Sequence, residues 1–203
     1  VLRELREPSP LGGAAAIPGL QAHLRPYQAV GVNWLGFLAR LGLGGCLADD
    51  MGLGKTLQML ALLLKRKTEV GAAECGPEGS PAAGAQAQAL PKLLVVPASL
   101  LANWRAEIER FTPALGFVMV HPSEAEKPQA VLESAAGQRS DLVITTYGML
   151  ARIEELRQRA WNVVILDEAQ AIKNPGTRQA RAVKELKAQA RFKAIAEMIS
   201  RVP

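Results

Sequence analysis

Apolar residues change their spacing repeatedly along this chain, and each change marks an element. Tyr27, Val30, Gly31, Trp34, Leu35, Phe37 and Leu38 recur at helical intervals. Pro26 suits a first helical position, so a helix is predicted up to Arg40, closed by Leu41-Gly42. Gly45 to Ala48 reads as a short strand, Lys55 to Lys67 as a helix, Lys92 to Val96 as a strand, Leu100 to Phe111 as a helix and Gly116 to Val120 as a strand. There follow a helix near Gln129 to Ala136, a strand Leu142 to Thr145, a helix Gly148 to Arg159, a strand Val163 to Leu166 and a helix Arg178 to Lys187. Strands alternating with helices make βαβ units, hence an α/β fold with a parallel sheet covered by helices on both faces. In such sheets ligands sit at the C-terminal ends of the strands.

Two segments break this rhythm. Gly71 to Pro91 carries Gly, Ala, Pro and Gln with almost no large apolar residue, so residues 71–91 are predicted to be a disordered surface insertion. Beyond Leu186, the stretch from Ala188 to Pro203 looks helical.

Composition narrows the class. A chain of 203 residues, 49% of them hydrophobic, has material for one domain or one and a fraction. Aromatic residues make up 4%, so aliphatic side chains must fill the core. A net charge of +5 suits a polyanionic partner without demanding one. Cys46 and Cys75 are too few and too far apart for a disulfide framework or a cysteine metal site, in keeping with a reducing compartment. The apolar run Leu57 to Leu64 stops at Lys65-Arg66-Lys67, short of a membrane span, and no signal-peptide core opens the chain. The expectation is a soluble intracellular protein with no membrane partner. The chain begins at Val1 in mid-phrase, which suggests that its natural start lies upstream.

The chemistry lies in two places. Ala48-Asp49-Asp50-Met51-Gly52-Leu53-Gly54-Lys55-Thr56 is a glycine-rich turn running into a helix. Backbone N–H groups of such a turn close around phosphate oxygens, Lys55 adds a point charge and the Thr56 hydroxyl can ligand Mg²⁺. Downstream, Asp167 and Glu168 follow the apolar run Val163-Val164-Ile165-Leu166 and can supply one carboxylate for a metal and one for an attacking water. The strict phosphate-loop pattern would want glycine at position 49, where this chain has Asp49. Either element alone has a plain reading, as a strand-to-helix turn or as a solvated acidic pair. Together they read as the halves of a nucleoside triphosphate site.

Five ordered segments carry a resemblance. Leu24-Arg25-Pro26-Tyr27-Gln28, Leu47 to Gln58, Pro97-Ala98-Ser99-Leu100-Leu101-Ala102-Asn103-Trp104, Ile144-Thr145-Thr146-Tyr147 and Asp167 to Pro175 stand in the order found in Swi/Snf-type ATPases. These are helicase-like motors of superfamily 2, and the likeness runs from about Leu24 to Leu186. It implies a RecA-like lobe over residues 23–187, after an N-terminal extension over 1–22. It also implies ATP and Mg²⁺ as cofactors, and accounts for Asp49, which that family normally carries.

The resemblance implies roles residue by residue. Gln28 would read adenine; Asp50, Met51, Gly52, Leu53, Gly54, Lys55 and Thr56 would hold the phosphates. Thr56 and Asp167 would bind Mg²⁺, partly through water, with Lys55, Asp167 and Glu168 as the catalytic set. Ser99, Asn103, Trp104, Thr145 and Thr146 belong to segments that lie beside one DNA strand in similar motors. On chemistry alone, Trp104 is as readily a packing residue, Thr145-Thr146 the polar end of a strand and Gln28 a polar residue on an amphipathic helix. Gln170 stands where many related motors carry histidine, a substitution familiar in bacterial members, and would couple nucleotide state to DNA. The implied partner is double-stranded DNA, bound with little sequence preference because contacts to phosphate carry no sequence information. A DNA-bound protein or RNA polymerase remains open as a further partner, with location in a bacterial cytoplasm at the nucleoid, or in a nucleus if the source is eukaryotic.

One departure bears on function. Motors of this family have two RecA-like lobes, and the Thr-Gly-Thr-type motif and second lobe are not found here. Residues 188–203 are either the start of that lobe after a deletion or an amphipathic terminal helix. The favoured reading is the ATP-binding lobe of a DNA-dependent ATPase, weak or inactive by itself. A non-catalytic nucleotide- or DNA-binding module and a small-molecule P-loop kinase are the alternatives.

Overall fold

A computed structural model of the chain describes residues 17–49, 52–73, 90–124 and 140–194. In chain order the elements are α1 (Pro26–Arg40), β1 (Gly45–Leu47), α2 (Lys55–Ala73), β2 (Lys92–Val96), a 3-10 turn (Ala98–Leu100), α3 (Leu101–Phe111) and β3 (Phe117–Val120). They continue with β4 (Leu142–Thr146), α4 (Tyr147–Arg152), α5 (Glu154–Gln158), β5 (Ala160–Leu166), a second 3-10 turn (Ala169–Ile172), α6 (Arg178–Glu185) and β6 (Lys187–Ala194). Six strands form one parallel sheet in the order β1-β6-β5-β2-β4-β3.

The central strands are apolar throughout because both of their faces are covered. All five residues of β2 are buried, and side-chain alternation divides them between two cores. Leu94 and Val96 join Leu35, Leu60, Leu63, Trp104, Ile108 and Phe192 on the face packed by α1, α2 and α3. Leu93 and Val95 join Tyr147, Leu150, Leu156, Leu166 and Val183 on the face packed by α4, α5 and α6. Helix α2 lies between α1 and α3, and its run Met59 to Leu64 is buried all round, as expected of a helix with no solvent face.

Several boundaries differ from the sequence expectation. The helix expected from Gly148 to Arg159 breaks at Ile153, an extended residue whose buried side chain anchors the break between α4 and α5. Helix α2 runs beyond Lys67 to Ala73, so the first three residues of the expected 71–91 insertion are helical. The expected helix near Gln129 to Ala136 and the rest of that insertion up to residue 89 lie outside the described residues.

The largest correction concerns the expected terminal helix. Residues 187–194 form β6, set between β1 and β5 and paired with both. The stretch is rich in helix-forming Ala, Lys and Gln, but it alternates strictly, with Ala190, Phe192 and Ala194 buried and Lys187, Gln189, Arg191 and Lys193 exposed. Pairing on both sides outweighs intrinsic propensity, which amounts to only a few tenths of a kcal/mol per residue, up to about 0.7. The lobe therefore extends at least to Ala194, and residues 195–203 lie outside the described part. Among the described residues no helix is long and apolar enough to cross a membrane.

Candidate nucleotide site

β1 delivers the chain to the glycine turn, and the turn delivers Lys55 to the first position of α2. Gly52 and Gly54 have φ of +84° and +75°, which L side chains rarely adopt. At Gly54 there is a second constraint, since a Cβ would stand 2.5 Å from the Gln28 Nε2 atom. Gln28, buried in the first turn of α1, bridges the helix to the loop. Its Oε1 accepts from the Arg25 N–H at 2.9 Å, and its Nε2 donates to the Leu53 carbonyl at 2.9 Å. Tyr27 donates its hydroxyl to the same carbonyl at 3.1 Å.

Asp49, the departure from the strict loop pattern, is a fastener. Its Oδ2 accepts from Gln58 Nε2 at 2.8 Å, and its carbonyl accepts from Lys55 Nζ at 2.6 Å. Asp50 and Met51 lie outside the described residues.

The acidic half leaves the sheet at the end of β5. The Asp167 N–H donates to the Val95 carbonyl at 2.9 Å, continuing the β5–β2 ladder by one bond. Glu168 then takes a left-handed conformation (φ 48°, ψ 49°), the single positive φ outside glycine among the described residues. Such a residue costs about 1–3 kcal/mol and is characteristically found where function demands a particular direction. Asp167 supports it by accepting the Glu168 N–H at Oδ1, 3.0 Å. Exposed Gln170 donates its side-chain amide to the Glu168 carboxylate.

Both halves meet in a cleft of about 320 Å³ lined by Gly52, Gly54, Lys55, Thr56, Asp167 and Glu168. The other wall is one face of α3 and its approach, Leu100, Asn103, Trp104 and Glu107. Burial raises the Asp167 pKa and Glu168 adds to it, against lowering by the Trp104 and Glu168 N–H bonds and by Lys55. Burial also raises the Glu107 carboxyl, opposed by Arg110 and reinforced by Asp167. Tyr147, whose hydroxyl donates to the Asp167 carbonyl at 2.7 Å, is pushed up first by burial and stays a neutral donor. The Thr56 hydroxyl and Asp167 carboxylate are hard oxygen donors of the kind Mg²⁺ takes. Among the described residues no three His, Cys, Asp or Glu come together as a metal cluster. Mg²⁺ is commonly held by one or two carboxylates with phosphate and water completing the shell.

The residues expected along DNA divide into two groups. Ser99 and Asn103 are exposed at the start of α3. Trp104, Thr145 and Thr146 are buried, and their side chains are hydrogen-bonded within the lobe. The Thr145 hydroxyl donates to the Val120 carbonyl at 3.0 Å, and the Thr146 hydroxyl caps α4 by accepting the Met149 N–H at 3.2 Å. Trp104 donates its indole N–H to Asp167 Oδ2 at 2.7 Å. Sequence reasoning missed Trp104 and Glu107 as lining of the candidate cleft, and Tyr147 as a donor to the Asp167 backbone carbonyl. The available signal was the i, i+3, i+4, i+7 spacing of Leu100, Asn103, Trp104 and Glu107, which places them on one helical face.

Comparison with known proteins gives a consistent result. A family model described as SNF2-related domain matches residues 27–193. The chain is similar to YwqA of Bacillus subtilis, 39% identical over 188 residues that cover 92% of this chain and 18% of that protein. It is similar to the TATA-binding protein-associated factor mot1 of Aspergillus fumigatus, 39% identical over 170 residues covering 82% of this chain and 8% of mot1. Among solved structures it resembles the Sulfolobus solfataricus SWI2/SNF2 ATPase core in complex with dsDNA, with a TM-score of 0.72, 35% identity, and coverage of 94% of this chain and 36% of that one. The chain thus spans less than a fifth of the length of either relative.

Proposed function

The chain belongs to the SNF2-related domain family, and from that premise we propose that it is the ATP-binding lobe of a DNA-dependent ATPase that moves along double-stranded DNA and displaces or remodels protein bound there. The observation that carries this reading is the cleft shared by Lys55 and Thr56 with Asp167 and Glu168, two pairs far apart along the sequence.

Each residue has a task suited to its place. Lys55 Nζ exchanges the Asp49 carbonyl, now 2.6 Å away, for oxygens of the outer phosphates. Backbone amides of Gly52 through Gly54 cradle the phosphate chain at the start of α2. The Thr56 hydroxyl and Asp167 would hold Mg²⁺. When bound, Mg²⁺ neutralises charge that builds on the phosphate oxygens. Glu168 orients the attacking water and receives its proton, and Gln170, bonded to Glu168, transmits changes between this carboxylate and the DNA-facing surface. Gln28 retains a second lone pair on Oε1 and a second hydrogen on Nε2 for an adenine edge.

Duplex DNA lies along the exposed start of α3, where Ser99, Asn103 and neighbouring backbone amides meet phosphate oxygens. Trp104, Thr145 and Thr146 support that surface from below.

The full-length protein should hydrolyse ATP faster when duplex DNA of arbitrary sequence is added. Lys55→Ala should lower that rate by about a hundredfold or more, as expected when a preorganised charge is removed. Absence of both nucleotide binding and DNA stimulation would sink the proposal. Nucleotide binding without turnover would instead favour a non-catalytic module.

A further inference from the structure

We infer that Trp104 is a positioning residue for the proposed metal-binding carboxylate, fixing Asp167 through its indole N–H and tying it to the helix that carries Asn103. The inference rests on reading the cleft as a Mg²⁺-nucleotide site.

Asp167 has two side-chain oxygens, and each is engaged differently. Oδ1 takes the N–H of Glu168 at 3.0 Å, a bond within its own turn. Oδ2 takes the Trp104 indole N–H at 2.7 Å, a bond across 63 positions of sequence. The two bonds fix the plane of the carboxylate and leave its remaining lone pairs directed by the fold. An indole N–H can only donate, and at 3% exposure Trp104 is withdrawn from bulk water. Packing alone could be met by an aromatic ring without a donor. The contrast with Trp161 is instructive: also buried, it donates its indole N–H to the backbone carbonyl of Leu156 at 2.9 Å.

Groups that orient a metal-binding carboxylate from outside typically change metal affinity or activity by about 10–100-fold when removed. Here the orienting group sits on α3 directly after Asn103, exposed on the proposed DNA side. A shift of α3 on DNA binding therefore reaches the Asp167 carboxylate through one hydrogen bond.

The test uses the full-length protein with Mn²⁺ as probe, bound in the presence of ADP and read by electron paramagnetic resonance. Trp104→Phe should weaken Mn²⁺ binding about tenfold and lower kcat by a similar factor, with the KM for ATP little changed. In an Asp167→Ala background the same substitution should change Mn²⁺ affinity no further. Trp161→Phe should lower Tm without moving that affinity. Equal Mn²⁺ affinity in wild type and Trp104→Phe, or an undiminished effect in the Asp167→Ala background, overturns the inference while leaving the nucleotide site standing. Loss of DNA affinity alone in Trp104→Phe overturns it too, in favour of a direct DNA role. Failure of the wild type to bind Mn²⁺ with ADP overturns the site itself. Should Trp104→Phe not fold, the ¹⁵N-labelled indole N–H of wild-type Trp104 decides: a resonance that moves on adding Mg²⁺-ADP supports the inference, and a stationary one overturns it.

Discussion

At the N-terminal ends of the strands, Lys67 and Asp141 pair at 2.7 Å, Lys67 also donates to the Ala114 carbonyl at 2.6 Å, and Asp141 accepts the Gly116 N–H at 2.9 Å. At the C-terminal ends, Asp167 shares a cleft with Glu168 and Glu107; beyond the effect of burial, Glu168 makes the ionisation of Asp167 harder and Asp167 that of Glu107. At the first pole Lys67 and Asp141 offset one another, while Lys92 beside them has its pKa lowered by burial and by Arg66 and Lys67, against the pull of Asp141. The second gathers like charges against buried walls, with Lys55 turned toward a loop carbonyl. The crowding at the second is what a divalent cation and a polyphosphate would together relieve, because each supplies the charge that the other side lacks.

Removing Asp167 should separate the two poles most sharply. Asp167→Ala should reduce DNA-stimulated ATP hydrolysis in the full-length protein by about a thousandfold or more, in line with loss of a transition-state charge group. Thermal unfolding should show the variant no less stable than wild type by more than the lost Trp104 and Glu168 bonds account for. A large fall in Tm with residual activity would make Asp167 a structural residue like those at the opposite pole.

Asp141→Ala should do the reverse. It takes an acceptor from both Lys67 and the Gly116 N–H, and a hydrogen bond to a charged group is worth about 1.5–3 kcal/mol. Urea unfolding should register a loss of that size, discounted for partial exposure of the pair, while the KM for ATP stays unchanged.

The smallest effect concerns Glu107. Its carboxyl is raised by burial, so the folded state binds a proton more readily than the unfolded chain. Its contribution to stability is therefore full below the ordinary carboxylate range and is lost as pH rises through the raised value. Glu107→Gln should be slightly more stable than wild type at neutral pH, by less than about 1 kcal/mol, with the advantage vanishing in acid. Tm measured against pH checks the sign; an advantage that grows in acid would contradict it.

Much of the architecture was legible in the sequence because it is local. Apolar runs too continuous for a half-exposed strand announce β2, β4 and β5, and helical spacing announces α1, α2 and α3. The glycine turn with Lys55 and Thr56, and the acidic doublet after β5, were visible because phosphate and metal chemistry restrict the residue types that can serve. β6 shows where local reading fails: its composition favours helix, and only its alternation and its place between β1 and β5 make it a strand.

The finer site was not legible for a different reason. The residues Thr145, Thr146 and Trp104 have side chains equally suited to a phosphate or to the interior, and spacing along the chain does not choose between them. The sequence by itself determined the kind and order of the elements as far as α6, apart from the break between α4 and α5, and the two halves of the candidate cleft, since periodicity and turn chemistry act over a few residues. Only the tertiary structure decided that the Trp104 indole meets Asp167, that the Thr145 hydroxyl meets Val120, and that residues 187–194 complete the sheet. These are pairings across tens of positions, fixed by which surfaces pack together rather than by anything nearby in the chain.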